Sequence, residues 1–130
     1  PSNEGCTPGY WKQDQHFGNW AAPYSPVPVE TKYRDAFSLG GNALPNDHKH
    51  DTLLDALWAE GNTDHEALLR HSAAALLNAA SADVGYPLSV LQVIALVQDA
   101  WNNGNEATAH AILAGLNEDS DCPLARAEWP

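Results

Sequence analysis

Thr63-Asp64-His65-Glu66-Ala67-Leu68-Leu69-Arg70-His71-Ser72-Ala73-Ala74-Ala75-Leu76-Leu77-Asn78-Ala79-Ala80 is the stretch on which the fold turns. Thr63 with Glu66 three residues on reads as a capping box, in which the two residues would satisfy each other's free backbone donors. Beyond it, Leu68, Leu69, Ala73–Leu77 and Ala79-Ala80 leave the segment apolar on nearly every side. That pattern predicts the central, most buried helix of a helical domain.

Toward the C-terminus, a helix opens at Ser89, again with a box partner at Gln92. It sets Val90, Val93, Ile94, Val97 and Trp101 on one face. Asn103-Gly104-Asn105 ends it and caps a further helix whose Ala109, Ile112, Leu113 and Leu116 repeat the pattern. Toward the N-terminus, Asp51–Glu60 is predicted to be a helix burying Leu53, Leu54, Leu57 and Trp58 and closing at Gly61. A first helix over Glu30–Ser38 stops at Gly40-Gly41, and Asn42–His50 is a polar loop. Residues 1–28 hold Tyr10, Trp11, Phe17, Trp20 and Tyr24 among glycines and prolines, and read as an irregular aromatic arm with one short turn at Tyr10–Asp14. Within the arm, Pro23-Tyr24-Ser25-Pro26-Val27-Pro28 should run extended and polyproline-like, because each proline fixes its own φ and restricts its predecessor. Alternating β-branched runs are too short for a sheet, and no internal repeat is present. The predicted architecture is all-α: one domain of four to five helices, with arm 1–28, body 29–117 and an acidic irregular tail 118–130.

The length of 130 residues suits a single core, and a hydrophobic content of 44% argues against disorder. Seventeen acidic against six basic residues give a net charge of −11, which disfavours nucleic acid and anionic membrane surfaces. Such acidity suits solubility in an extracellular or salty setting, with cation binding or a soluble matrix role as the sharper reading. No apolar run approaches the roughly 20 residues of a membrane span. The chain opens at Pro1 without a signal peptide, which reads as a trimmed mature chain or a domain cut from a longer protein.

The two cysteines lie in Gly5-Cys6-Thr7-Pro8-Gly9 and Asp121-Cys122-Pro123, turn-rich contexts that suit surface loops. Joined, they would close most of the chain into one loop, worth up to about 4–5 kcal/mol in the chain-entropy view, and imply an oxidising compartment. Two buried free thiols are the alternative.

Gly5-Cys6-Thr7-Pro8-Gly9-Tyr10-Trp11-Lys12 resembles the opening signature of a domain found in secreted bacterial proteins, often ones carrying surface-sorting tails. The similarity continues through Leu53-Leu54-Asp55-Ala56-Leu57, Leu69-Arg70-His71, Ala74-Ala75-Leu76-Leu77-Asn78-Ala79-Ala80, Tyr86-Pro87 and Val93-Ile94-Ala95-Leu96-Val97. It ends at Cys122-Pro123-Leu124, and so spans nearly the whole chain in order. Similar domains read Lys-Asn-His after the tryptophan where this chain has Lys12-Gln13-Asp14-Gln15-His16, so no role is carried over to His16. The resemblance implies export, to a secreted or extracellular location, and a terminal Cys6–Cys122 disulfide. It brings no activity.

Candidate chemistry is sparse. Asp47-His48-Lys49-His50-Asp51 groups two imidazoles and two carboxylates, a donor set suited to zinc or copper. No second ligand pair stands at a recognised spacing, so a solvated loop with Asp47 or Asp51 as helix cap is the plainer reading. Asn117, Asp119 and Asp121 place oxygens at alternate positions, with Glu128 where a calcium loop has its twelfth-position ligand. Cys122 takes the place of that loop's turning glycine, which argues against calcium there. His65 and His71 are six apart and do not share a helix face. Arg70 and Asn78 share a stripe, and are expected to anchor the N-terminal arm through its backbone. Ser72 adjoins His71 on a helix, where neighbours diverge by about 100° and cannot act as a Ser–His pair.

Five tryptophans is a high number for this length, and Trp11, Trp20 and Trp129 fall near the termini. Trp11 reads as a core plug beside Cys6, whereas Trp20, Tyr24, Pro26 and Pro28 read as a contact surface. The residues therefore point to a non-catalytic extracellular structural or assembly module, a subunit of a surface layer, filament or matrix, with a second copy or a matrix component as partner. A metal-binding module at His48/His50 or the acidic tail, and a glycan-binding module using exposed aromatics, are the alternatives.

Overall fold

The computed structural model describes residues 3–26, 30–39, 52–118 and 121–126. Among them the chain is helical without strands: α1 (Pro8–Trp11), a 3-10 helix (Asp14–Asn19), α2 (Tyr33–Ala36), α3 (Leu53–Leu57), α4 (Asp64–Ala80), α5 (Val90–Asn103), α6 (Glu106–Glu118) and α7 (Pro123–Arg126). Two isolated bridges, Glu4 with Asp121 and Lys32 with Thr52, are the only sheet-like pairings among the described residues.

α4 is the axis. Its residues from Ala67 to Asn78 are buried apart from Arg70, and it packs against α1, α3, α5 and α6. A helix enclosed on so many sides has no exposed face to fill with polar residues, which is why most of its sequence is Ala and Leu. Its N-cap is Thr63, whose Oγ1 accepts from the Glu66 N–H at 3.5 Å. The reciprocal half of the predicted box is not made. The Glu66 carboxylate lies instead against Gly61, 3.2 Å from where a Cβ would stand. Two full boxes form elsewhere, Ser89 with Gln92 on α5 and Thr52 with Asp55 on α3. α5 buries Val93, Val97, Ala100 and Trp101, and Gly104 closes it at φ +73°, a left-handed position that costs glycine nothing. α6 buries Ala109, Leu113 and Asn117, while Ile112 is turned outward.

Several boundaries differ from the sequence expectation. The helices predicted over Glu30–Ser38 and Asp51–Glu60 shrink to Tyr33–Ala36 and Leu53–Leu57, single turns held by packing because so short a helix gains little from its own hydrogen bonds. The Thr52 cap starts α3, and the helix ends four residues before Gly61, so Trp58 leaves the buried face and is 54% exposed. The last long helix runs on to Glu118, and the tail expected to be irregular turns into α7.

The arm is not an appendage. Thr7 caps α1 through the Tyr10 N–H, with Pro8 at the first helical position, where its missing N–H costs nothing. Trp11 is fully buried, and the Trp20 indole N–H donates to the Trp11 carbonyl at 3.2 Å. His16 stacks on Tyr10 and donates through Nδ1 to the Tyr10 carbonyl at 2.7 Å. The chain turns at Ala22–Pro23 rather than entering an extended run there, and the Ala22–Pro23 peptide is cis. Gly5 passes so close to α6 that a Cβ on it would lie 2.6 Å from the Leu116 carbonyl oxygen, so only glycine fits without moving backbone.

Candidate functional site

The ends of the chain meet over α4 in a buried polar knot. Cys6 and Cys122 are joined by a disulfide with a sequence separation of 116. Gly5 N–H donates to the Asp121 carbonyl at 2.9 Å, and Glu4 is tied to Gly85 through both its backbone N–H and its carboxylate. Beneath the disulfide lies Asn78, with no solvent exposure. Its Oδ1 accepts from the Cys6 N–H at 2.9 Å and the Trp11 indole N–H at 3.0 Å. Its Nδ2 donates to the Cys6 carbonyl at 2.8 Å and to Asn117 Oδ1 at 3.2 Å. One amide thus answers three groups of the N-terminal segment and one of α6. Asn117 Oδ1 also receives the Tyr86 hydroxyl proton at 2.7 Å, and burial pushes that hydroxyl's pKa well above the usual range.

From Asn117 the network continues to the seam between α4 and α6. Asn117 Nδ2 donates to the His71 carbonyl at 3.1 Å and faces His71 Nδ1 at 3.2 Å, so Nδ1 is the acceptor. The ring proton therefore sits on Nε2, which donates to Glu118 Oε1 at 3.1 Å. Burial lowers the His71 pKa to about 4, and the charges of His110 and Arg70 add to that effect. The Glu118 carboxylate pulls the other way, but it is 55% exposed and largely solvated. His110 stacks beside His71 and pairs with Asp64 at 3.2 Å.

A pH dependence follows. The folded pKa of His71, about 4, lies below the ordinary imidazole value of 6.5, so the unfolded chain binds more protons between these values. The contribution of neutral His71 is complete above pH ~6.5 and is lost as pH falls toward 4, by at most about 3 kcal/mol. Urea unfolding at pH 7.5 and pH 4.5 should show this loss. His71→Gln, unable to titrate, should flatten the pH dependence, and an unchanged profile in that variant would assign the loss to other groups.

The residues singled out by sequence fare differently. Asn78 anchors the arm as expected, whereas Arg70 donates to the carbonyls of Ala59 and Gly61, on the turn before its own helix rather than on the arm. Trp20, Tyr24 and Pro26, expected to offer a contact surface, are buried within the chain, because the arm folds into the core. Pro28, Trp129, the loop residues Asp47, His48, His50 and Asp51, and Asp119 and Glu128 of the tail lie outside the described residues. Asn117 is fully buried with its amide committed to Asn78, Tyr86 and His71, so it offers no ligand to a calcium loop; Asp121 is exposed. Among the described residues, no three His, Cys, Asp or Glu side chains converge as a metal centre requires. Ser72 bonds Tyr33: its hydroxyl donates to the Leu69 carbonyl, the Tyr33 hydroxyl donates to Ser72 Oγ at 2.6 Å, and the Trp101 indole donates to Tyr33.

One surface feature had no counterpart in the sequence reading. Trp58, set at the end of α3, faces Lys12, whose Nζ lies 4.3 Å from the ring centroid. Together with Gln13, Asp14, Gln15 and Phe17 they line an open cleft of about 380 Å³. Leu91, 77% exposed, and Ile112, 44% exposed, are the other large apolar side chains turned outward among the described residues. Within those residues no helix is long and apolar enough to cross a membrane.

No protein-family model matches this chain, and neither does any curated protein or solved structure. What defines it is its own architecture: an all-α domain with its two ends bridged by a disulfide.

Proposed function

We propose that this chain is a non-catalytic extracellular structural or assembly module, whose closed helical body serves as a subunit of a surface layer, filament or matrix. The observation that carries this reading is the knot: Asn78, Asn117, Tyr86 and His71 spend their polar atoms on joining the two ends of the chain to α4. A disulfide across nearly the full length suits life in an oxidising medium, where a cytoplasmic protein would keep its thiols reduced. Contact between copies is supported by Leu91 and Ile112, large apolar side chains exposed on the adjoining helices α5 and α6. Assembly by an arm lying across the next subunit is not supported, because the described part of the arm is folded into its own body.

Multi-angle light scattering over a wide concentration range tests this. Mass should rise with concentration in the wild type, and Leu91→Glu combined with Ile112→Glu should hold the chain monomeric with little change in melting. A strictly monomeric wild type at every concentration would count against self-assembly.

A further inference from the structure

Trp58 is the one largely exposed aromatic ring among the described residues, and its exposure is built in. Its N–H bonds to the carbonyls of Leu54 and Asp55 at the end of α3, and it stands between Leu57 and Ala59, both buried. A backbone held at both neighbours cannot fold the ring inward, so the indole is presented to solvent. Leaving so large an apolar surface in water forgoes burial that every other tryptophan in the described residues obtains.

The surroundings of the ring are those of a ligand site rather than a bare patch. Gln15 Nε2 donates to Gln13 Oε1 at 2.9 Å, which orders both amides and leaves Gln13 Nε2 and Gln15 Oε1 as a donor and an acceptor without partners among the described residues. The Lys12 ammonium over the ring is held by a cation–π contact, a weak one at an exposed position, so an incoming group can displace it. The Trp58 indole N–H makes no hydrogen bond to the described residues. A flat apolar face, framed by amide donors and acceptors and one movable ammonium along an open cleft, matches a sugar ring. Such a ring offers a face of C–H groups for stacking and hydroxyls around its edge.

Charge narrows the class. A chain of net charge −11, with Asp14 in the cleft itself, repels polyanions, and the lone ammonium of Lys12 does not offset this. Among the described residues no strand edge stands open to an extended peptide, and Trp58 alone is largely exposed, short of the aromatic-lined groove that a proline-rich peptide docks into. We infer that the Lys12–Trp58 cleft is a binding subsite for a neutral glycan chain. One sugar ring stacks on Trp58, the displaced Lys12 ammonium donates to a hydroxyl, and the Gln13 and Gln15 amides bond the neighbouring hydroxyls.

The test is a titration of the full chain, followed by NMR and calorimetry, with neutral hexasaccharides of glucose, N-acetylglucosamine, mannose and xylose. Alginate and a proline-rich peptide form the competing arms. At least one neutral hexasaccharide should saturably shift the Trp58 indole N–H signal, identified by its absence in Trp58→Ala. Trp58→Ala should weaken that binding by about tenfold or more, and Gln15→Ala by a smaller factor. Melting of Trp58→Ala should stay within about 2 °C of wild type, since the ring is exposed. Absence of binding to every neutral hexasaccharide, equal binding by Trp58→Ala, or binding confined to alginate or the peptide would each overturn the assignment.

Discussion

Asn78→Ala is expected to cost about 3–5 kcal/mol of stability, a large share of the roughly 5–15 kcal/mol that holds a domain of this size together. The substitution deletes little apolar surface. Its effect comes from what it leaves behind: the Cys6 N–H, the Cys6 carbonyl and the Trp11 indole N–H, each buried and each paired with the Asn78 amide in the native chain. A buried polar group left without a partner costs about 1–3 kcal/mol, and the total is less than the plain sum because losses within one hydrogen-bonded network do not add in full. In melting temperature the loss corresponds to about 10–20 °C. Asn78→Asp separates the parts of the effect. It keeps the acceptor for Cys6 and Trp11 but removes both donors and buries a charge, so it should be at least as damaging. Thermal and urea unfolding of the oxidised proteins decide the matter, and a loss below about 1 kcal/mol for Asn78→Ala would show that the knot is not a main support.

How much of this was legible beforehand depends on how local the cause was. The Ser89/Gln92 box, the Gly104 stop and the apolar run of α4 act within a few residues of themselves, and the structure places those elements where the pattern does. The Thr52/Asp55 box is equally local, yet the sequence expectation starts the helix at Asp51 and gives the capping role to aspartate. Single-turn helices such as Tyr33–Ala36 are shorter than the sequence expectation because propensity carries no information about where packing stops.

The candidate sites show the same division. That Asn78 would tie the arm to α4 could be argued from a polar residue on an apolar stripe, but its link to Asn117 and onward to Tyr86 and His71 joins residues 31 to 46 positions apart. No spacing rule reaches that far. The tryptophans depart from expectation for a related reason. Trp20 lies in a glycine- and proline-rich stretch and looked free, whereas the fold returns that stretch to the core. Trp58 continues the spacing of Leu53, Leu54 and Leu57 and looked buried, but helical spacing has no meaning one residue past the end of a helix.

The other large effect is expected from removing the disulfide. A bridge closing 116 residues of sequence separation restricts the unfolded chain by about 4–5 kcal/mol in the chain-entropy view, so Cys6→Ala/Cys122→Ala should lose a comparable amount. The native contacts need not change, because Asn78 still grips the backbone of residue 6 on both its N–H and its carbonyl side. Near-ultraviolet dichroism at low temperature should therefore match the wild type while the unfolding midpoint falls. The bridge and Asn78 hold the same residue, so their losses should not add. With the disulfide intact, Asn78→Ala traps the orphaned Cys6 groups inside. Without it, the N-terminal segment can swing away and hydrate them, and the same substitution should cost less. A double-mutant cycle by urea unfolding should give a coupling of about 1 kcal/mol or more, and additivity within about 0.5 kcal/mol would mean that the bridge and the asparagine act on separate parts of the fold.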